Sequence, residues 1–200
     1  MLIMTKNEIQ EQRMKGYFIQ ATKELLKGEG LKSVSVRNIA DQAGYSYATL
    51  YNYFKDVKDL IFECVKDFQE ECEQQVLADT SEMQHGFEKM KAILKSYIRY
   101  FVQYPGIFEL FFLEKPGDIG SKQPTLQLIY SFTDKVCGDE WDFCLSQNWV
   151  SPEKADLMKD EIRYVVAGML LFYLNRRLPE NYAVFMAKVD EQINRIFGGF

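Results

Sequence analysis

Phenol, hydroxyl and amide side chains are crowded into residues 44–54 of the chain, which read GYSYATLYNYF. Four tyrosines fall within nine positions of this segment, and Ser46, Thr49 and Asn52 stand between them. All of these side chains can donate and accept hydrogen bonds. Such a cluster could belong to the core, line a ligand pocket or form a surface that recognises a specific partner.

Helical geometry divides this cluster into a buried side, an outward crest and two flanks. With about 100° between successive residues of a helix from Ser46 to Phe54, Leu50 and Phe54 share the buried side. The small and polar residues of the crest are Ala48, Thr49 and Asn52. The flanking tyrosines are Tyr47, Tyr51 and Tyr53. Short crest side chains let a helix approach base edges in the DNA major groove, while flanking hydroxyls can donate to phosphates. The pattern therefore favours DNA recognition.

A second short helix is predicted directly before this segment. Ser35 is a good N-cap, apolar residues follow at helical spacing from Val36 to Ala43, and Gly44 ends the helix. A helix, a glycine turn and a second helix make a helix-turn-helix, whose second helix reads bases. Ser35 and Arg37 are then placed to hold a phosphate at a helix N-terminus. The alternative is a compact three-helix unit that does not bind DNA.

The charge distribution indicates that a polyanionic partner would bind the N-terminal part of the chain, which includes the tyrosine cluster. The net charge of the 200 residues is −5. Residues 1–60 hold nine Lys/Arg against seven Asp/Glu, which gives +2, and the remainder hold fifteen against twenty-two, which gives −7. A partner such as DNA should therefore meet the first sixty residues.

The sequence gives little support for catalysis, metal binding or a membrane-spanning segment. The chain has one histidine, His85, and its four cysteines form no C-x-x-C pair, so we expect no metal site and no cofactor. No Ser/His/Asp set or phosphate-binding glycine loop is present, so we expect no enzyme. We expect four reduced, mostly buried thiols, with a redox-sensing pair as the alternative. Without a secretion signal or a sufficiently long apolar run, we expect a cytoplasmic location.

The whole chain shows helical periodicity, which predicts an all-α fold. The expected helices run from Thr5 to Gly28–Gly30, over the two segments above, from Asp56 to a connection at 74–86, and from Phe87 to a break at Pro105-Gly106. A short helix over 107–113, a loop over 114–124 and one or two helices over 125–147 follow. The last two helices should cover Ser151 to Arg177 and residues 182–197. The predicted domains are residues 1–55, which bind DNA, and 56–200, which bind ligand and dimerise.

Residues 18–61 resemble the DNA-binding segment of the TetR family of bacterial transcriptional regulators. The resemblance is carried by Ala21, Leu25, Leu26 and Gly30, and by SVRNIADQAGYSYATLYNYFKDVKDLI from Ser35 onwards. It implies base contacts by Tyr47, Ala48 and Thr49 and phosphate contacts by Tyr51 and Tyr53. Val57 stands where the family usually has lysine, so Lys55 or Lys58 is expected to reach the backbone instead. The complete predicted DNA-binding set is Ser35, Arg37, Ser46, Tyr47, Ala48, Thr49, Tyr51, Asn52, Tyr53, Lys55 and Lys58.

The resemblance also implies a homodimer whose C-terminal domain binds a small molecule. Residues 165–174 are apolar all round, which requires burial on more than one side of their helix. The last helix carries an apolar stripe of Phe185, Val189, Ile193, Ile196 and Phe197. Two such helices from each subunit would form a four-helix interface. The alternative is that both stripes pack within one chain.

An aromatic segment on both sides of Pro105 is the predicted wall of the effector pocket. Its members are Tyr97, Tyr100, Phe101, Tyr104, Phe108, Phe111 and Phe112. Aromatic walls with a few hydroxyls suit apolar or aromatic small molecules. The expected protein is a repressor that holds its reading helices about 34–36 Å apart on a pseudo-palindrome until an effector changes that spacing. An activator, and a helical ligand-binding or scaffold homodimer without operator binding, are the alternatives.

Overall fold

All regular elements of the protein are helical in a computed structural model that describes residues 5–113 and 123–198. The all-α fold class is confirmed. The first four helices are α1 (Lys6–Glu29), α2 (Val36–Ala43), α3 (Tyr47–Tyr51) and α4 (Val57–Thr80). The next four are α5 (Phe87–Gln103), α6 (Pro105–Phe108), α7 (Gln123–Tyr130) and α8 (Phe132–Val136). The last three are α9 (Gly138–Ser146), α10 (Pro152–Arg176) and α11 (Tyr182–Phe197). Of the described helices, none is long and apolar enough to cross a bilayer.

The chain divides into two compact units. One comprises Met1–Phe68 and Tyr104–Ile129, and the other comprises Gln69–Gln103 and Tyr130–Phe200. We call them the reading unit and the C-terminal unit. Helix α4 runs through the point of division, so its first half belongs to the reading unit and its second half to the C-terminal unit. The sequence-based boundary at residues 55/56 separates proposed functions and stays a prediction.

The starts of α1, α2 and α3 are each fixed by a capping side chain that the sequence identified. Thr5 and Glu8 form a capping box at α1, where the Glu8 carboxylate accepts from the Thr5 backbone N–H at 2.6 Å. Ser35 and Ser46 cap α2 and α3 by accepting from backbone N–H groups three residues ahead. Gly44 ends α2 with φ 75°, a left-handed conformation that suits glycine.

A compact apolar cluster holds these short helices together. It is built around the buried side chains of Phe18, Ala21 and Leu25 from α1, Ile39 from α2, Leu50 from α3, and Phe54 and Leu60. Because α3 has only five residues, Leu50 and the following Phe54 provide its apolar attachment to α1 and α2. The three helices therefore form one rigid support for the residues that α3 exposes.

Helix α1 ends where the sequence predicted, at Glu29 between Gly28 and Gly30, and of these two glycines only Gly30 adopts positive φ. Two other helix ends differ from those predicted. Helix α3 ends at Tyr51 instead of near Phe54. Helix α4 extends to Thr80, although the sequence predicted a connection from residue 74. Buried Val76, whose carbonyl accepts from the Thr80 hydroxyl at 2.7 Å, gives these last turns an apolar contact.

The connection between α5 and α9 is also more helical than predicted. Pro105 begins α6 as its first residue instead of only ending α5, and a π-helical turn, Glu109–Leu113, follows. Three short helices, α7, α8 and α9, occupy the region predicted to hold one or two. Residues 114–122 of the predicted 114–124 loop lie outside the described residues, and its last two positions already belong to α7.

The predicted interface stripe of the last helix lies in the core of the C-terminal unit. All five of its residues are buried within the single chain, namely Phe185, Val189, Ile193, Ile196 and Phe197. Phe197, for example, packs between Phe87 and Trp141, with ring centroids 5.6 and 6.4 Å away. The expectation that this stripe faces a second subunit is therefore wrong, because the α11 stripe already completes the fold of its own chain.

Candidate nucleic-acid interface

The predicted crest and two of the three flanking tyrosines, Tyr47 and Tyr51, face outward from α3. Leu50 is fully buried, whereas Tyr47 and Tyr51 are 66% and 52% exposed. Ala48 and Asn52 are exposed and Thr49 is half-buried. This exposure follows the helical-wheel assignment from the sequence. The crest is therefore accessible to a large partner.

Two crest-side hydroxyls are engaged with each other and with the helix start. Ser46 Oγ accepts from the Thr49 backbone N–H at 3.1 Å and lies 2.9 Å from Thr49 Oγ1. The cap satisfies a backbone donor that a helix start leaves free. Ser46 therefore sets the direction of α3, and its contact with Thr49 fixes the position of the Thr49 hydroxyl beside Ala48 and Asn52.

The four tyrosines of the cluster have different surroundings. Tyr53 is half-buried and packs against Phe18, with ring centroids 6.1 Å apart. Tyr45 packs 5.7 Å from Phe18 and stacks at 6.0 Å on Tyr17 of α1, which is itself exposed. Tyr47 and Tyr51 are the more exposed members. The sequence did not single out Tyr17, because the signal in α1 was the buried Phe18 next to it.

The cations expected to meet phosphates are placed at two helix starts. Arg37, in the first turn of α2, is exposed, and its Nε lies 3.8 Å from Asp41 Oδ2. An exposed pair of this kind contributes little to stability, so the guanidinium can turn to another anion. Ser35 Oγ accepts from the Asn38 backbone N–H at 3.2 Å. The cap and the cation thus share the N-terminal end of α2.

The start of α4 explains how the chain accommodates valine at the usual lysine position. Val57 is half-buried and packs against the apolar cluster of the reading unit. Asp56 Oδ1 accepts from the Lys58 backbone N–H at 3.0 Å and caps the helix. Lys55 is exposed and Lys58 is half-buried. Of these two lysines, Lys55 is the more accessible to a phosphate.

The aromatic residues predicted to line an effector pocket are largely core side chains. Tyr97, Tyr100 and Phe101 are buried in the C-terminal unit, where the Thr133 hydroxyl donates to the Tyr97 hydroxyl at 3.3 Å. Burial raises the pKa of the Tyr97 phenol, so it stays neutral. In the reading unit, Phe108 and Phe111 are buried, whereas Tyr104 and Phe112 are half-buried. Their role in effector binding stays a prediction.

A cleft of about 240 Å³ opens elsewhere in the C-terminal unit. Its apolar wall comes from α4, α5 and α8 and includes Val76, Ile93 and Val136. Its polar wall holds the buried Glu140, whose carboxylate contacts Lys89 Nζ at 3.1 Å. No group of three or more His, Cys, Asp or Glu side chains that could hold a metal was found in the described part of the chain.

A second apolar surface lies on α10 and α11. A groove of about 620 Å³ runs between these helices, and its lining includes Val165, Gly168, Met169 and Phe172. Phe172 is 56% exposed, and Leu157, Tyr164 and Leu171 of α10 are exposed as well. Apolar residues concentrated on one helix face are typical of a protein–protein contact. We call these residues the α10 apolar face.

Part of the reading unit matches a known protein family. Residues 18–64 match the model of the tetR family of bacterial regulatory proteins. The resemblance that residues 18–61 carry to the TetR family is thereby confirmed. A search of curated proteins finds no similar sequence.

Solved structures share the fold over almost the whole chain. FadR from Bacillus subtilis, solved with stearoyl-CoA, has 16% identity and a TM-score of 0.71, and the alignment covers 92% of this chain and 98% of that one. The fatty acid degradation regulator FadR from Bacillus halodurans has 14% identity and a TM-score of 0.68, with 94% and 96% covered. A tetR-family regulator from Streptomyces coelicolor has 18% identity and a TM-score of 0.63, with 94% and 89% covered. The chain has the fold of TetR-family transcription regulators.

Proposed function

We propose that this chain, with its TetR-family reading unit, is a transcriptional regulator that binds a pseudo-palindromic operator as a homodimer and is released by a small molecule. The observation that carries the proposal is the outward face of α3, which is capped by Ser46, anchored by Leu50 and lined by small and phenolic side chains. The match over residues 18–64 supports it. Because its target is chromosomal DNA, the protein acts in the bacterial cytoplasm.

In this proposal the predicted DNA-binding residues form two groups, one that contacts bases and one that contacts phosphates. Tyr47, Ala48, Thr49 and Asn52 face base edges, where hydrogen bonds and methyl contacts distinguish base pairs. Phosphates are met by Tyr51, Tyr53, Ser46, Ser35, Arg37, Lys55 and Lys58. Phosphate contacts fix the register of the helix without reading sequence. The exposure of Tyr51 supports a larger contribution from its hydroxyl than from that of half-buried Tyr53.

The homodimer is proposed to form through α10 and α11. Leu157, Tyr164, Leu171 and Phe172 are exposed in the single chain, and α10 repeats them at intervals that keep them near one face. Burying these apolar side chains against a second copy removes them from water. A two-fold axis then sets the two α3 helices about 34–36 Å apart, which is one turn of DNA.

The effector is proposed to bind the helical C-terminal part of each subunit. The predicted aromatic set favours an apolar or aromatic molecule, and stearoyl-CoA bound to B. subtilis FadR makes a long acyl chain the first probe. Helix α4 begins at Val57, a short turn after the end of α3 at Tyr51, and continues to Thr80, so a shift of α4 would alter the spacing of the α3 helices. Release requires that the effector bind the non-operator state more tightly.

A scaffold or ligand-binding homodimer without operator binding is the second candidate. Val57 favours it, because the cation that usually meets the phosphate at this position is replaced by a residue that packs on the core. Activation instead of repression is the second mode of regulation. We propose no enzymatic activity for either candidate.

Fluorescence anisotropy with labelled genomic fragments tests the proposal. The parent protein should bind a fragment from its own upstream region, and log K should fall linearly with log salt concentration. Tyr51→Phe should weaken binding by about tenfold or more, because the lost hydrogen bond is to a charged phosphate, and Tyr53→Phe should weaken it less. If no genomic fragment binds at moderate salt, the scaffold candidate replaces the regulator.

A further inference from the structure

The first two turns of α1, residues 6–13, do not contribute to the core of the reading unit. Helix α1 begins at Lys6, but its first buried residue is Phe18. Residues 5–13 are all exposed. Eight residues of helix span roughly 12 Å. About two turns of α1 therefore precede Met14, the first α1 residue that packs against the apolar cluster, and they also precede the matched segment, which begins at residue 18.

This extension is nevertheless held in helical form by local interactions. The Glu8 carboxylate accepts from the backbone N–H and the hydroxyl of Thr5, and Glu11 pairs with Lys15 at 2.7 Å. Helix ends without tertiary contacts are marginal in water, so capping and i,i+4 pairs decide whether they form. The sequence thus maintains a helical segment that its own core does not require.

One face of the extension borders the C-terminal end of α3. A polar groove of about 320 Å³ is lined by Asn7, Gln10 and Glu11 of α1 and by Asn52 and Tyr53. Asn52 is the C-cap of α3 and is exposed. Two amide side chains of α1 therefore stand beside the reading helix, on the surface proposed to meet DNA.

We propose that Asn7 and Gln10 bind the DNA sugar–phosphate backbone beside the C-terminal end of α3; this inference rests on the proposed operator binding. In a helix-turn-helix the N-terminal residues of the second helix contact base edges. The far end of α3 is then closer to the wall of the major groove, where phosphates lie. Amide side chains are common phosphate ligands, and they position a protein without reading sequence.

Glu11, the third α1 residue that lines the groove, allows a test in which a substitution should strengthen DNA binding instead of weakening it. A Glu11 carboxylate beside a phosphate opposes binding through like-charge repulsion, which its ion pair with Lys15 offsets in part. Removing the charge while keeping the shape should strengthen DNA binding. A groove that serves only the fold of α1 would give no such gain.

The test compares Asn7→Ala/Gln10→Ala with the parent by fluorescence anisotropy, on a genomic fragment that the parent selects and on an unrelated duplex. Loss of two hydrogen bonds to charged phosphate oxygens should weaken binding to both duplexes by at least about tenfold and leave their affinity ratio unchanged. Glu11→Gln should bind both duplexes more tightly than the parent. For neither duplex should the slope of log K against log salt concentration become shallower. Gln74→Ala, which removes an exposed amide from α4 outside this groove, is the matched control and should bind like the parent.

Each outcome separates this inference from the proposed function. If the parent binds no genomic fragment, the proposed function fails first. If the parent binds and the double variant binds like Gln74→Ala, the α1 contact is absent. A loss confined to the selected fragment would assign Asn7 and Gln10 to bases and overturn the backbone assignment. If Glu11→Gln binds no more tightly than the parent, the carboxylate does not face phosphate and the inference is overturned.

Discussion

Gly106 packs directly against the backbone carbonyl of Leu26. A Cβ built on Gly106 would overlap the Leu26 carbonyl oxygen and would lie only 3.2 Å from the Cα of Gly30. Both contacts are to backbone, which cannot move away as a flexible side chain can. The absence of a side chain at position 106 thus allows α6 to approach the end of α1, the helix that supplies Phe18 to the reading unit.

Replacing Gly106 with alanine should destabilise the protein. Relieving the overlap requires backbone movement, and overpacking of this kind costs about 1–3 kcal/mol. Gly28→Ala is the matched control in α1, because a Cβ at that position meets no atom within 4 Å. It should raise the free energy of unfolding by about 0.5–1 kcal/mol through helix propensity. Urea unfolding followed by circular dichroism measures both, and equal midpoints for the two variants would contradict the contact.

Local signals in the sequence predicted the reading unit well. Ser35, Ser46 and Gly44 all sit at the helix ends where capping chemistry placed them. Caps and turns depend on a few neighbouring residues, so a single sequence contains the required information. The orientation of α3 could also be predicted, because a helical wheel separates Leu50 from the exposed tyrosines.

Features that depend on contacts between residues far apart in the sequence were harder to predict. The α11 stripe that includes Phe185 and Phe197 has the pattern of an interface, yet helices of its own chain bury it. A periodic apolar stripe indicates that a surface is covered but does not identify what covers it. The polar groove between α1 and Asn52 left no sequence signal, because Asn7 and Gln10 come close to it only in the folded chain.

A charge on the α10 apolar face should dissociate the proposed dimer. Phe172→Glu places a carboxylate on a surface that is exposed in the single chain but apolar and buried in the dimer, where an unpaired charge is costly. Leu77→Glu is the control, because Leu77 is 63% exposed on α4, outside this face. Light scattering after gel filtration should give a monomer mass for Phe172→Glu and a dimer mass for the control. A dimer for both would exclude this face as the interface.

The four thiols should be unreactive in the folded protein. All four cysteines are free and buried, and burial raises the pKa of the Cys64, Cys72, Cys137 and Cys144 thiols. Thiolate, not thiol, is the reactive form, so both access and ionisation are restricted. An aromatic disulfide reagent at pH 8 should react slowly with the native protein and should release four equivalents after unfolding. Rapid reaction of two thiols in the native protein would instead favour a redox-sensing pair.

The buried carboxylate of Glu140 should be required for stability of the C-terminal unit. Its side chain is 1% exposed, and it accepts from the Gly86 backbone N–H at 2.8 Å. Its other oxygen lies 2.9 Å from His85 Nδ1 and 3.1 Å from Lys89 Nζ. Glu140→Gln keeps the size of the side chain but removes the charge and places an amide among donors. The loss should be at least about 1.5–3 kcal/mol, the contribution of a hydrogen bond to a charged group.

Glu88→Gln isolates the effect of burial from that of charge. Glu88 pairs with Lys91 at 2.7 Å, but its side chain is 80% exposed, and a surface pair of this kind contributes about 0–1 kcal/mol. Denaturant unfolding of both variants should therefore show a large shift for Glu140→Gln and a small one for Glu88→Gln. Because Glu140 also lines the 240 Å³ cleft, the comparison should be made without added ligand. Similar shifts for the two variants would mean that solvent reaches Glu140 and that its donors do not hold α9 to the start of α5.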